Sequence, residues 1–195
     1  MSKFNKPITI VMGKSGVGKD TILNELVEKH GYNRGITWTT RPMRTGEQNG
    51  KDYFFTNKHT FTDMIIQGDF IEYKTYNTLV DNKKDTWYYG LNKEVNGLDL
   101  SKNNVLILTY EGALKALQYF GSRNCEVIYL SCKDNIRKER AIKRGSFDST
   151  EWERRLESDK IDFNWNIIKG IVDEVHYTDV EKVSDICKSI VEQGE

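Results

Sequence analysis

Gly13, Gly16 and Gly18, with Lys14, Ser15 and Val17 between them and Lys19, Asp20 and Thr21 directly after, are the residues of this chain best arranged for chemistry. Glycines let a backbone curl until its N–H groups point inward, and a concave set of N–H donors receives phosphate oxygens. A lysine right after the last glycine reaches the β- and γ-phosphates of a nucleoside triphosphate. The next position ordinarily carries Ser or Thr, whose hydroxyl meets Mg2+. Here that residue is Asp20, with Thr21 following. A carboxylate holds Mg2+ directly or through water. It also suits the positive end of a helix, an effect worth under ~1 kcal/mol at an exposed site. Metal ligand and plain first-turn charge are both open readings of Asp20. On the first, the cation is at least as important as in the usual motif, because a bare carboxylate repels a triphosphate.

A second set of residues also suits phosphate. Arg41 and Arg44, three apart, are followed by Tyr53 in a stretch with a proline, Gly46, Gly50, hydroxyls and charges, the composition of a loop. Guanidinium forks bind phosphate oxygens bidentately and a phenol adds one donor. Farther on, Arg137, Arg140 and Arg144 recur at spacings of three and four, which places them on one helix face. Arg154 and Arg155 lie on the helix after it. Two arginine-bearing helices joined by a turn can cover a phosphoryl group in transfer and neutralise its charge.

A phosphate loop followed by Thr-Thr-Arg-Pro-x-Arg-x-Gly-Glu-x-x-Gly-x-Asp-Tyr over residues 39–53 resembles the guanylate kinase family. The resemblance implies that Arg41, Arg44 and Tyr53, within the motif that includes Glu47, bind the phosphate of an acceptor monophosphate, and that Thr37 touches the guanine base. It implies that Glu72, in Gly-Asp-Phe-Ile-Glu-Tyr, accepts the two adjacent N–H donors of guanine's Watson–Crick edge. It also implies that Tyr89, in Trp-Tyr-Tyr-Gly with Gly90, is a second phosphate-binding tyrosine. Arg140, Arg144 and Arg155 match the lid arginines, whereas Arg137 and Arg154 are assigned to solvated faces paired with Glu139, Glu151 and Glu157. The chain departs from the family at several places. Leu91 replaces a small hydroxyl residue, and Ile107 and Thr109 replace two aspartates that help with metal or nucleotide. Tyr177 or Thr178 stands where an asparagine near the adenine is common, and residues 76–86 are longer than usual, either extending a hairpin or covering the acceptor site. The acid missing at Ile107 and Thr109 is then expected from Asp20, with Glu111 a second candidate.

Elements that must position these groups are legible around them. Ile8 to Met12 is apolar and β-branched, as a buried strand should be, and residues 22–27 carry apolar residues at helical spacing. Residues 32–38 read as a strand, 60–66 as a helix, 93–100 as a short helix and 104–109 as a buried strand. Val127 to Leu130 is the next core strand, 173–177 the last, and 180–191 an amphipathic helix. Ser149 or Thr150 is placed to cap the second arginine helix, with Glu153 completing a capping box for Thr150. Strands alternating with helices imply a parallel sheet wrapped on both faces. With the family resemblance this becomes an α/β P-loop NTPase fold of three layers: a core over 1–36, 90–136 and 158–195, a monophosphate-binding subdomain over 37–89, and a lid over 137–157.

The chain has 195 residues, enough for one domain with inserted parts, and 29 basic residues against 29 acidic. That balance gives no support to a sequence-independent nucleic-acid binder. Three cysteines, Cys125, Cys132 and Cys187, fit no metal spacing and read as reduced core thiols. His30, His59 and His176 cluster with nothing in the sequence and read as surface or filler residues. No apolar run approaches a signal peptide or a membrane span, so a cytoplasmic protein acting on small-molecule nucleotides is expected, without nucleic acid or membrane, as a monomer or homodimer. The implied reaction is transfer from ATP, with Mg2+, to GMP or dGMP. Three alternatives stay open: a monophosphate kinase of altered or broad preference, a non-catalytic phosphopeptide-binding module with the same clamp, and a sugar-phosphate kinase with Lys-Asp after its glycines.

Overall fold

The computed structural model describes residues 6–80, 83–94, 96–145 and 147–194. It divides into two compact units, Met1–Arg34 with Asp99–Glu195, and Gly35–Leu98.

The first unit is built on a five-stranded sheet. Its strands are β1 (Ile8–Gly13), β2 (Asn33–Arg34), β7 (Asn104–Ile107), β8 (Cys125–Ser131) and β9 (Glu174–Tyr177), in the order β2-β7-β1-β8-β9. Every pairing in it is parallel. β1 is buried at every position because strands lie on both sides and side chains alternate between two covered faces. On one face Val11, Val105, Ile128 and Leu130 meet Ile22, Leu23 and Leu26 of α1 (Lys19–His30) and Ile186, Cys187 and Ile190 of α7 (Val183–Gly194). α3 (Tyr110–Phe120) packs against β1 and β8. α4 (Asp134–Lys143), α5 (Ser149–Asp162) and the short α6 (Trp165–Ile168) lie between β8 and β9 in the chain.

The second unit carries a four-stranded sheet in the order β4-β3-β6-β5, made of β3 (Trp38–Thr39), β4 (Phe54–Phe55), β5 (Phe70–Val80) and β6 (Lys83–Asn92). β5 and β6 form a long antiparallel hairpin whose register runs from Phe70↔Asn92 to Val80↔Lys83. The extended segment at 76–86 is therefore strand, with Asp81 and Asn82 outside the described residues. α2 (Lys58–Gln67) is capped by Asn57, whose side chain accepts from the Thr60 N–H, and it buries Phe61 against Phe70 at 4.4 Å between ring centroids.

Several expectations need correction. Residues 32–38 are not one strand: Asn33–Arg34 joins the parallel sheet, while Trp38–Thr39 belongs to the other sheet, the unit boundary falling at Gly35. The described part of 93–100 is not helical, because Asn92 and Asn96 side chains satisfy the backbone in turns, taking the N–H groups of Glu94 and Leu98. α5 is capped by Asp148, which accepts from Glu151, and not by Ser149 or Thr150. α7 starts at Val183 rather than at 180, since the Val180 and Glu181 N–H groups turn back onto the Tyr177 carbonyl. His176 is neither exposed nor filler: it is buried between Glu181 (Nδ1, 2.9 Å) and Glu174 (Nε2, 3.1 Å). Cys125 and Cys187 are buried free thiols and Cys132 is half-buried. Among the described residues no helix is long and apolar enough to cross a membrane.

Candidate active site

The glycine loop fills the turn between β1 and α1. Gly13 has φ +151°, and a Cβ there would stand 2.5 Å from the Leu130 carbonyl oxygen, so no other residue fits. Gly18 closes the loop at φ +108° as the N-cap of α1 and offers the helix start no side chain. The N–H groups of that first turn are thus left for a ligand, and the helix adds partial positive charge there. Val17 is buried in the core, Lys14 and Ser15 are half-buried, and Asp20 and Thr21 are exposed. Lys19 folds back over the loop, donating from Nζ to the carbonyls of Gly13 at 2.7 Å and Lys14 at 3.2 Å. Burial pulls the Lys19 ammonium below the usual lysine value, Asp20 and Asp159 oppose that, and Arg137 and Arg144 add to it. A phosphate arriving beside Lys19 would relieve this accumulation of positive charge.

The arginine helices meet the loop from the same unit. Arg140 donates to the Val17 carbonyl at 3.0 Å and to Thr178 at both its hydroxyl (2.9 Å) and its carbonyl (2.6 Å). Thr178, in the place discussed above for an adenine-side residue, also donates its hydroxyl to the Val17 carbonyl at 2.7 Å. Arg144 is exposed, with its charge felt at Lys19. Arg155 is ion-paired to Glu151 at 2.8 Å on its own helix, and Arg154 shares that carboxylate at 2.7 Å. Burial raises the Glu151 carboxyl, but the two arginines outweigh it and hold it down at about 2.

Arg137 is where the sequence reading fails. It is 1% exposed, the largest fully buried side chain among the described residues. It pairs with Asp159 at 2.9 Å and Asp134 at 2.8 Å, and its guanidinium lies 5.7 Å from the Trp152 ring centroid. Asp159 in turn accepts the Ser15 N–H at 3.0 and 3.1 Å. Only the Asp134/Arg137 spacing of three was visible in the sequence. Asp159, twenty-two residues beyond Arg137, left no local signal.

In the second unit the loop at 40–53 is braced along its length. The Asn49 side chain accepts from Phe55, the Asp52 carboxylate from Gln48, and the Gly50 N–H donates to the Tyr53 carbonyl. Glu47 holds Arg41 in a fork, at 2.8 and 3.1 Å, and its carboxylate also accepts the Arg44 N–H at 2.7 Å. Burial pushes the Glu47 carboxyl up, but the Arg41 fork and the Arg44 N–H outweigh it and leave the group below the usual range. Arg41 is 4% exposed, its guanidinium 5.4 Å from the Tyr53 centroid, and the Tyr53 and Tyr89 rings meet edge to face at 6.1 Å. Arg41, Tyr53, Tyr89 and Glu47 are therefore brought together, with Arg44 on the exposed rim.

Thr37 accepts the Phe54 N–H through its carbonyl, and its side chain is half-buried. Glu72 is half-buried on β5, opposite Leu91 in the register, after a bulge between Phe70 and Glu72. Gly90 is needed for packing, since a Cβ there would meet the Phe70 ring at 2.8 Å. Leu91 is fully buried and offers no polar atom. In the first unit, Thr109 caps α3, its hydroxyl accepting from Gly112 at 3.2 Å, and Glu111 lies in that helix's first turn. Among the described residues no three acidic, histidine or cysteine side chains gather as a metal site. Asp20 is a single exposed carboxylate beside Lys19, which suits a cation whose other ligands are phosphates and water.

A parallel sheet with a lysine-bearing glycine loop leading into α1 defines the P-loop class of nucleotide-binding folds. Comparison with known proteins narrows that class. The guanylate kinase family model matches residues 5–94. Guanylate kinase of Mycoplasmoides gallisepticum is 34% identical over 80% of this chain and 78% of its own length. Guanylate kinase of Clostridium tetani is 29% identical over 92% and 84%. The crystal structure of guanylate kinase from Anaplasma phagocytophilum shares the fold, with a TM-score of 0.62 at 19% identity over 95% of this chain and 82% of that one. The chain belongs to the guanylate kinase family.

Proposed function

We propose that this protein is a nucleoside monophosphate kinase that transfers the γ-phosphoryl group of ATP to GMP or dGMP, giving two diphosphates. The observation that carries the reading is the Glu47-held Arg41 fork beside Tyr53 and Tyr89, in a chain that also presents a glycine loop with Lys19 folded over it. The fork and Pro42 use three of the five Arg41 N–H donors, leaving Nε–H and one Nη2–H for phosphate oxygens. Tyr53, Tyr89 and Arg44 complete the acceptor's phosphate site, and Glu72 with Thr37 reads the base.

The acceptor attacks through its own phosphate oxyanion, so no general base is required. Catalysis is then positioning and charge neutralisation. The backbone of the Gly13 to Thr21 loop, apart from the Ser15 N–H that Asp159 takes, holds the ATP phosphates together with Lys19. Arg140, Arg144 and Arg155, on the lid at 137–157, with Arg41, offset charge that spreads over the transferred group. For Arg140 and Arg155 this requires exchanging their present partners, Thr178 and Glu151, for phosphate. Asp20 would hold Mg2+, directly or through water, and the ion would supply charge neutralisation at the triphosphate. Closure of the lid excludes water and suppresses hydrolysis of ATP. The cytoplasm, where both nucleotides are available, is the compartment this reading favours.

A wider acceptor range has its own support. Leu91 is buried and apolar, and the Thr109 hydroxyl is taken by Gly112, so neither adds a polar contact to a base. A coupled ADP-release assay with Mg·ATP against each ribo- and deoxyribonucleoside monophosphate tests both readings. Turnover is expected with GMP or dGMP first. Turnover with none of them overturns the kinase reading and favours the binding module.

A further inference from the structure

Ser15 lies inside the glycine loop, yet its polar groups are engaged from outside it. Its N–H donates to both oxygens of Asp159, at 3.1 and 3.0 Å, and its hydroxyl donates to the same carboxylate at 3.3 Å. Arg137 closes the figure from α4: Nη1 donates to Asp159 at 2.9 Å and to the Ser15 carbonyl at 2.5 Å. Both peptide groups of Ser15 are thereby held by one ion pair whose side chains are 1% and 8% exposed. Asp134 takes the far edge of the guanidinium and Trp152 lies against it. A Cβ at Gly16 would stand 3.0 Å from the Arg137 carbonyl oxygen, so the loop and the α4 backbone are in close contact as well.

An apolar pair could join two helices at less desolvation cost than a buried ion pair. What an apolar pair cannot do is hold a peptide group in a fixed orientation. The Arg137–Asp159 pair does this for the loop, from the two helices that carry Arg140 and Arg155. We infer that Arg137 and Asp159 are positioning residues for ATP: they brace the Ser15–Gly16 backbone in the shape that receives phosphate and tie that shape to α4 and α5. Neither touches the phosphates; both act through Ser15. The inference rests on the ATP-dependent reading given above.

The test compares the full chain with Asp159→Asn and with the double variant Arg137→Met/Asp159→Leu. The double variant removes both charges at once, leaves no buried ion unpaired and keeps the helices packed. Steady-state KM is measured for ATP and for the monophosphate separately, beside a thermal melt. The expected result is a rise of about tenfold in KM for ATP in both variants, the size of one charge-assisted hydrogen bond, with KM for the monophosphate unchanged. The double variant keeps that defect even where its melt matches the parent. A double variant with the parent's KM for ATP, or equal rises in both KM values, overturns the inference and leaves the pair a purely structural link. If the parent itself shows no turnover, the kinase reading fails instead. The brace is then judged by calorimetric ATP binding, and equal affinity in parent and double variant overturns it.

Discussion

The Glu47 carboxylate grips the Arg41 guanidinium through two N–H···O bonds of 2.8 and 3.1 Å while a third bond, from the Arg44 N–H, holds the carboxylate itself. Glu47 therefore sets where both arginines of the loop begin. The Arg41 side chain is 3% exposed and that of Glu47 19%, so the pair is desolvated on one side and only partly on the other. Glu47→Gln keeps one acceptor and removes the counter-charge. The expected loss is about 1.5–3 kcal/mol of stability in this unit, the range for a hydrogen bond to a charged group. KM for the monophosphate should rise by about tenfold, as orientation of a bidentate clamp is lost, while KM for ATP stays put. Steady-state kinetics with each nucleotide varied in turn checks this; equal changes in both KM values would contradict it.

Gly90→Ala addresses the hairpin beneath that clamp. The added Cβ would meet two atoms of the Phe70 ring at 2.8 and 2.9 Å and the Glu72 carbonyl oxygen at 3.0 Å. Phe70 has little room to retreat, being stacked on buried Phe61. Overpacking of this kind costs roughly 1–3 kcal/mol. Because the strain falls on the backbone of Glu72, the variant should show a lower melting temperature together with a higher KM for the monophosphate. A lower melting temperature alone would mean that Gly90 serves packing and leaves Glu72 undisturbed.

How much of this arrangement was legible in the sequence follows from the range of the forces involved. β1, the glycine loop and α1 were readable because a buried strand, a φ-positive turn and an amphipathic helix each leave a local pattern. The loop at 40–53 was readable because its residue types are those a phosphate clamp needs. Arg137 was misread because an arginine with Glu139 two residues away on a highly charged helix has the local pattern of a solvated face. Its burial is decided by Asp159, Trp152 and Ser15, far away in the chain. His176 was missed for a related reason: Glu174 and Glu181 flank it in the sequence, but only a strand followed by a tight turn brings both to its ring. Residues 32–38 read as one strand because Tyr32, Ile36, Thr37 and Trp38 favour strands, but Asn33 to Gly35 interrupt that propensity, and tertiary pairing sends the two ends to different sheets.

Glu126 predicts an unusual pH dependence. It lies on β8, 6% exposed, opposite Thr9 of β1 in the register. Burial, opposed by Lys6 and reinforced by Glu174 and Asp173, pushes its carboxyl up to about 7. Above the unfolded carboxylate value the unfolded chain gives up this proton while the folded protein keeps it, so stability falls as pH rises from about 4.5 to 7 and levels off beyond. Glu126→Gln removes that penalty. The variant should melt higher than the parent at pH 8, by an amount equivalent to at most roughly 3 kcal/mol, and the gain should vanish near pH 4.5. Thermal melts across that range decide it, and a pH-independent difference would show that the carboxyl does not titrate there.

Asp20 tests the metal side of the site. It stands exposed one residue beyond Lys19, where its charge opposes the effect of burial on the lysine. Were it only a first-turn charge, Asp20→Asn would cost under ~1 kcal/mol of stability and leave the dependence on Mg2+ unchanged. Were it a ligand, direct or through water, the free Mg2+ needed for half-maximal rate should rise by about tenfold or more, while KM for the monophosphate holds. Asp20→Ser is the sharper version, because it restores the residue the usual motif carries at this position. With Ile107 and Thr109 offering no carboxylate, a hydroxyl alone should not recover the parent's Mg2+ response. Rate against free Mg2+ at saturating ATP separates the two readings. Superimposable curves for parent, Asn and Ser variants would remove Asp20 from the metal site.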